Sequence, residues 1–334
     1  MSLSERPAAD LALLDGLARR VQEVLATVVP AGSEVALLDV PDHTNVGDHA
    51  ITVGELTALR RGAYRLVFAS SLKTASPKWL GSRVRDAVIL MHGGGNLGDL
   101  WPEHQHYRQE VLRQLRHRKV VQLPQSLAFE RRETLLSAQR AFDAHPDFTL
   151  IVRDEVSLDF ALRHFSCRTE LCPDSALALG PLARPSPPSQ DILCLARYDH
   201  ERISGDDIGL DAVDWPRPLD RREALLARMS IELGGRVDGR SGPSPGAKRL
   251  VALLLERLAR RRLHRGIHLL SRGGTVITDR LHAHLLALLL GIPNLVADTR
   301  SGKVHDFVDT WTGSSSLVRR AESLGDALRI ARGH

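Results

Sequence analysis

The chain is short of lysine, of aromatic side chains, of cysteine and of long apolar runs, and each shortage closes off a class of protein. Among its 334 residues are 45 basic ones, of which only Lys73, Lys78, Lys119, Lys248 and Lys303 are lysine, and aromatics make up 4%. So few rings leave little on which bases could stack, and such an arginine bias, beside abundant alanine and leucine, fits high-GC codon usage better than a nucleic-acid footprint. No nucleic-acid partner is expected, while a formal charge of +5 leaves anionic small molecules as candidates. Cys167, Cys172 and Cys194 are odd in number and lack CxxC spacing, which argues against a disulfide framework or a cysteine zinc site. The longest apolar run, Leu285 to Leu290, falls far short of the ~18 residues of a membrane span. The first thirty residues carry acids and arginines throughout, without the apolar core of a signal peptide, so a cytoplasmic protein is expected.

What is present is ordinary globular material, 43% hydrophobic and 25% charged, in a length that suits one oversized or two ordinary domains. Leu11, Leu14, Leu17, Val21, Leu25 and Val28 sit at helical spacing and predict an opening helix over 10–28, closed by Pro30. Strand-length apolar runs then recur at 35–40, 65–69, 87–91, 120–123 and 148–152, separated by helical stretches near 49–61, 104–118 and 130–144. Alternation at this spacing implies an α/β fold with a parallel, doubly wound sheet. The Pro- and Ser-rich segment at 181–190 reads as a linker. Beyond it come a strand at 192–196, an irregular stretch at 199–246, a basic helix from about 248 to 264, a strand at 275–278, a helix at 281–290 and a strand at 294–297. The expectation is two Rossmann-like domains facing a cleft, 1–180 and 191–334.

Five clusters fall at the carboxyl ends of predicted strands, where open α/β sheets bind ligands. Asn45-Val-Gly-Asp48 offers a glycine turn and free helix-start amides with Asn45 and Asp48 as polar tips, or simply a turn with Asp48 as the cap. In His92-Gly-Gly-Gly-Asn-Leu-Gly-Asp99, Gly93, Gly95 and Gly98 satisfy GxGxxG, yet no acid follows at 113–123 to hold a ribose, so a dinucleotide site is disfavoured. The run Gly93, Gly94, Gly95, Asn96 could still bring bare amides to a phosphate, a carboxylate or sugar hydroxyls, or serve as a tight turn. Arg153, before Asp154, could fork onto an anion or close a salt bridge. Cys172-Pro-Asp-Ser175 reads as a capped helix start, with Asp174 structural. In Thr278-Asp-Arg-Leu-His-Ala-His284, Arg280 and His282 bring charge and a proton-transfer group to a helix start, though on an ideal helix Arg280 shares a face with His284. They can act together only if Arg280 lies in a non-helical turn. No carboxylate or cysteine stands at ligand spacing from His282 and His284, so no metal is assigned. Downstream, Lys303, Asp306 and Trp311 could close the cleft, and the arginines at 257, 260, 261, 262 and 265 form either a solvated face or a patch drawn to anionic lipid at the inner face of the membrane.

Taken in order, NVGDHAI (45–51), HGGGNLGD (92–99), LPQSL (123–127), VRDEVSL (152–158), CPDSAL (172–177), ITDRLHAHLLALLLGIP (277–293) and GKV (302–304) resemble the polysaccharide pyruvyl transferase family, over roughly 35–311. The resemblance is greatest to bacterial exopolysaccharide members, through Asp99 and Trp101 after the glycines. It implies a fold like that of two-domain (GT-B-like) glycosyltransferases. It also implies transfer of pyruvate from phosphoenolpyruvate to two sugar hydroxyls as a cyclic ketal, with release of phosphate. By the same resemblance Arg153, Arg280 and His282 form the donor site, with Leu281 lining it, Asp48 matches an acidic position important in relatives, and Lys303 stands where some relatives have arginine. The stretch 199–246 matches no motif.

The chemistry agrees. Phosphoenolpyruvate is a small trianion that needs fixed cations and amides, so Gly93, Gly94, Gly95 and Asn96 join Arg153, Arg280, Leu281 and His282 as donor-binding candidates. Catalytic roles fall to His282 as the acid, Asp48 as acceptor of a hydroxyl proton, and Arg280; Asn45, Asp99 and Lys303 are candidates for the acceptor side or the cleft. No cofactor is expected, phosphoenolpyruvate being a co-substrate, and the acceptor is a sugar or lipid-linked oligosaccharide. A nucleotide-sugar glycosyltransferase and a non-catalytic scaffold of polymer assembly are the alternatives, since fold does not fix function.

Overall fold

Helix α1 (Ala8–Val28) forms because Leu14, Leu17, Val21, Leu25 and Val28 recur every three or four residues and can all be buried on one side. The computed structural model describes residues 6–74, 77–84, 86–197, 212–215, 220–237, 245–299 and 302–333. Seven parallel strands follow: β1 (Glu34–Leu38), β2 (Arg65–Ala69), β3 (Val88–Met91), β4 (Gly94–Gly98), β5 (Val120–Ala128), β6 (Phe148–Val152) and β7 (Arg168–Leu171), of which β1, β3, β5 and β6 are mainly apolar runs buried on both faces, as central parallel strands are. They make one seven-stranded sheet in the order β2-β1-β3-β5-β6-β7, with β4 also pairing β5. Its crossover helices are α2 (Val46–Arg61), α3 (Pro77–Val84), α4 (Pro102–Gln114), α5 (Arg132–Asp143) and α6 (Glu155–His164).

A second parallel sheet, in the order β11-β10-β9-β8, is built from β8 (Gln190–Leu195), β9 (Gly273–Thr278), β10 (Asn294–Val296) and β11 (Val318–Arg320). Its helices are α7 (Arg221–Val237), α8 (Pro245–Leu270), α9 (Leu281–Leu289), α10 (Lys303–Phe307) and α11 (Leu324–Ala331). The stretch expected to be irregular at 199–246 thus contains α7, while 198–211, 216–219 and 238–244 lie outside the described residues. The two cores interlock. Leu14 and Leu17 of α1 and Val46, Ala50 and Val53 of α2 pack with the second sheet's cluster, while Val251 and Leu255 of α8 pack with the first. Buried Asp10 also accepts hydrogen bonds from Ser315 Oγ at 2.7 Å and Ser316 Oγ at 2.6 Å, tying α1 to the C-terminal part of the chain.

Candidate active site

The carboxyl ends of β1, β3, β6, β8 and β9 open onto one cleft of about 420 Å³. Asn45 caps α2 by accepting from the Gly47 amide at 3.0 Å, so the helix begins at Val46, and its own Nδ2 donates to Asp48 Oδ2 at 2.8 Å. The predicted cap was Asp48; instead its carboxylate is held in the first turn and lines the cleft. Burial opposes its ionisation, but His43, His282, His92 and His49 outweigh that and hold it below the usual carboxylate range.

Arg280 lies in extended backbone (φ −107°, ψ 119°) just before α9, which resolves the conflict between its spacing and that of His282. Arg280 Nη2 donates to Asp214 Oδ2 at 2.8 Å, and both Arg280 and Leu281 line the cleft. His282 points its Nε2 at Asp174 Oδ2, 3.3 Å away. The same oxygen accepts from Arg153 Nη1 at 2.7 Å, so one buried carboxylate orients a guanidinium from the first sheet and an imidazole from the second. Burial alone would raise Asp174, yet His282 and Arg153 hold it far below the carboxylate range. Asp174 also caps the 3₁₀ turn Ser175–Leu179 through the Ala176 amide at 2.8 Å. The structural role read from Cys172-Pro-Asp-Ser is therefore real, but it accompanies a second one, that of a buried carboxylate holding two cleft-lining residues, Arg153 and His282, in place.

Two glycines are needed for close approach. A Cβ on Gly47 would lie 2.6 Å from His282 Nδ1, and one on Gly95 would lie 2.8 Å from Arg153 Nη2 and 3.7 Å from Lys303 Nζ. Gly95, Asn96 and Lys303 accordingly line the cleft with Arg153. Gly93 and Gly94 do not: the Gly93 amide is spent on Glu55 Oε1 at 2.9 Å, and the segment runs on as strand β4 rather than as an open loop. Asp99, expected at the cleft, turns away from it and accepts from the Glu130 and Arg131 amides at 2.5 and 2.7 Å at the start of α5. Trp311, expected to close the cleft, instead donates through Nε1 to the Arg153 carbonyl at 2.8 Å and so braces that residue from the other sheet's side.

Two carboxylate-held imidazoles were not singled out from the sequence. His92, almost fully buried, bonds Glu55 Oε2 through Nδ1 at 2.7 Å, and among the described residues its Nε2 has no hydrogen-bond partner. Burial disfavours its charge, but Glu55 more than compensates, and its pKa is raised. His104 Nδ1 sits 2.9 Å from both oxygens of Asp39, which also pairs with buried Arg108 Nη2 at 3.2 Å. Asp39 has a left-handed backbone (φ 64°), a costly conformation for a residue other than glycine, and it falls at the cleft wall. The one local signal for it was its position just past an apolar strand. His284, by contrast, is fully buried between Asn294 Oδ1 at 2.7 Å and Thr312 Oγ1 at 2.9 Å, and burial lowers its pKa to about 4.

The cleft therefore gathers Arg153, Arg280, Lys303 and His282 together with Asp48, His92 and His104, an arrangement that can bind a compact polyanion and move protons beside it. Among the described residues no group of three or more His, Cys, Asp or Glu is placed to hold a metal ion.

Residues 45–301 match the polysaccharide pyruvyl transferase family. The chain is 33% identical over 296 residues to "Pyruvyl transferase 1" of Schizosaccharomyces pombe, covering 85% of this chain and 71% of that protein. It is 28% identical over 315 residues to "Putative pyruvyl transferase EpsO" of Bacillus subtilis, covering 89% and 92%. A crystal structure of a functionally uncharacterised Klebsiella pneumoniae protein superposes with a TM-score of 0.61 at 17% identity, covering 92% of this chain and 99% of that one. That likeness speaks to the fold.

Proposed function

Because the chain belongs to the polysaccharide pyruvyl transferase family, we propose that it moves pyruvate from phosphoenolpyruvate to two hydroxyls of a sugar, in an exopolysaccharide or its lipid-linked precursor. The product is a cyclic ketal, and phosphate leaves. The observation that carries the reading is the convergence of Arg153 and Arg280, from different sheets, with Lys303 on one cleft. Three fixed cations suit a trianion whose phosphate and carboxylate point in different directions.

In this reading Arg153 Nη2 and Lys303 hold one end of the donor against Gly95 and Asn96, and Arg280 holds the other beside Leu281. His282, kept in place by Asp174, supplies a proton to the methylene carbon as the first sugar hydroxyl attacks the neighbouring carbon. The second hydroxyl then displaces phosphate. Of the two acceptor protons, one replaces the proton given to the methyl carbon and the other leaves on phosphate, so charge and atoms balance. Asp48, with Asn45 and His104 on the same wall, receives a hydroxyl proton. The donor is a co-substrate, and no cofactor or metal is given a step. The chain divides at 181–190 into two Rossmann-like units of the GT-B-like kind, each forming one wall, and phosphoenolpyruvate as donor implies a cytoplasmic reaction.

The test is a comparison of ligands. Phosphoenolpyruvate should raise the melting temperature of the protein and nucleotide sugars should not. Stabilisation by a nucleotide sugar alone would favour glycosyl transfer in the same cleft.

A further inference from the structure

Five of the nine large apolar side chains exposed among the described residues lie on one helical pair: Leu225, Met229 and Ile231 on α7, and Leu250 and Leu253 on α8. The other four, Trp101, Leu136, Val156 and Leu162, are spread over the first sheet's side of the molecule. Asp220 and Glu223, at the start of α7, pair with Arg261 at 2.6 Å and Arg265 at 2.9 Å in the second half of α8, which fixes α7 along α8. Arg262 is buried against His49 at 2.7 Å, and Arg260 bonds Glu256 at 2.7 Å. Of the arginine cluster seen in the sequence, Arg262 is therefore buried, Arg261 and Arg265 are tied to the start of α7, and Arg257 and Arg260 remain exposed.

The surface charge of the pair comes mainly from other residues. The exposed positions of α7 and α8 include Arg221, Arg222, Arg228, Arg249, Arg257 and Arg260, against a single exposed acid, Glu232. Exposed apolar side chains gathered on one helical pair and flanked by one sign of charge mark an interaction surface. Its composition chooses the partner. Arg228 pairs with Glu232 at 2.6 Å and Arg260 with Glu256 at 2.7 Å, so the excess charge rests on Arg221, Arg222, Arg249 and Arg257. A second copy would set that positive excess against its own like, which opposes association, whereas a bilayer rich in anionic headgroups offers phosphates to the guanidinium forks and an acyl boundary to the leucines. No helix among the described residues is long and apolar enough to cross a membrane, so contact of this kind would be peripheral.

We propose that the outer face of α7 and α8 docks on the surface of an anionic lipid bilayer, with Leu225, Met229, Leu250 and Leu253 entering the headgroup boundary and the arginines pairing with lipid phosphates. The inference is independent of the pyruvyl-transfer reading, because it uses no residue of the cleft.

The experiment is flotation of the full-length protein with vesicles of phosphatidylcholine alone and of phosphatidylcholine mixed with phosphatidylglycerol, at low and high salt. The protein should float with the mixed vesicles at low salt and remain behind with the neutral ones. Combining Leu225→Glu with Leu253→Glu should reduce the bound fraction at least tenfold. Leu162→Glu, at a more exposed leucine but on α6, should leave it unchanged, and melting temperature and phosphoenolpyruvate binding should be unaltered in all variants. Absence of flotation with the mixed vesicles, equal binding to neutral ones, or equal loss with Leu162→Glu would overturn the proposal. So would a dimer in light scattering that the double variant dissociates, which would assign this face to a second copy. Failure here leaves donor binding intact, so the two readings fail separately.

Discussion

Replacing Asp174 with asparagine removes one charge and keeps the shape, and it should be among the most damaging single changes in the protein. Its Oδ2 serves Arg153 Nη1 at 2.7 Å and His282 Nε2 at 3.3 Å, while Oδ1 caps Ala176. An asparagine that keeps the cap must turn its amide nitrogen toward two donors. Arg153, 1% exposed, would then have Ser126 Oγ at 2.9 Å as its remaining side-chain acceptor of those described. Stripping one partner from a buried pair costs about 3–5 kcal/mol. With an unfolding entropy of about 2.1 cal/mol/K per residue over 334 residues, that cost lowers the melting temperature by roughly 4–7 °C. Donor binding should fall with it, since the Arg153 fork loses its anchor. The pH dependence supplies a sign. A depressed carboxyl contributes stability that is fully present above its unfolded pKa of about 4 and is lost as the pH falls below that. The gap between wild type and Asp174→Asn should therefore be widest at neutral pH and close on acidification. Calorimetry across pH and titration with phosphoenolpyruvate measure both effects. A variant melting within about one degree of wild type at pH 7, with unchanged donor affinity, would refute the argument that this carboxylate organises the site.

Gly47→Ala should displace the His282 ring, because the added Cβ would lie 2.6 Å from Nδ1, and should lower turnover more than stability; a crystal structure with the ring unmoved would contradict this. Arg280→Lys, which can keep the ion pair to Asp214 but loses the planar fork, should mainly weaken donor binding, whereas His282→Asn should hold affinity and lower phosphate release by roughly 10²-fold or more. Buried neutral His284, with its pKa lowered to about 4, contributes stability present above about pH 6.5 and lost as the pH falls toward 4, up to roughly 3 kcal/mol; His284→Asn should be less stable at pH 7 and show a shallower acid decline. Phosphate release should persist in a chelator, and activity lost to chelator and restored by a divalent ion would show that a metal takes part.

Much of the fold could be read from the sequence because its strands are continuous apolar runs. The predicted spans of β2 and β6 match residue for residue, and α1 differs only at its start. Strand β4 was missed because Gly94–Gly98 has no side-chain pattern and is defined by backbone pairing to β5. Helix α7 was missed because its apolar periodicity was averaged into flanks rich in Gly, Pro and Asp. At the site, chain-local features were legible in the start of α9 at Leu281 and the positions of Arg153 and Lys303, whereas α2, expected to begin near His49, begins at Val46 under an Asn45 cap. What was hidden depends on long-range partners. Nothing near Asp174 in the chain announces His282, 108 residues away, and nothing near Glu55 announces His92. Asp99 misled because an acid after a glycine run looks the same whether it faces a ligand or the amides of a following helix.

The central claim is tested most directly by following phosphoenolpyruvate carbon and phosphorus together by NMR, in the presence of the protein and glycan acceptors, with Arg153→Ala and Arg280→Ala alongside. Loss of the enol carbons should be matched by a new quaternary ketal carbon on the sugar and an equal amount of inorganic phosphate, both absent in the two variants. Phosphate appearing with free pyruvate and no ketal would contradict transfer to a sugar, and undiminished ketal formation in the arginine variants would contradict the site.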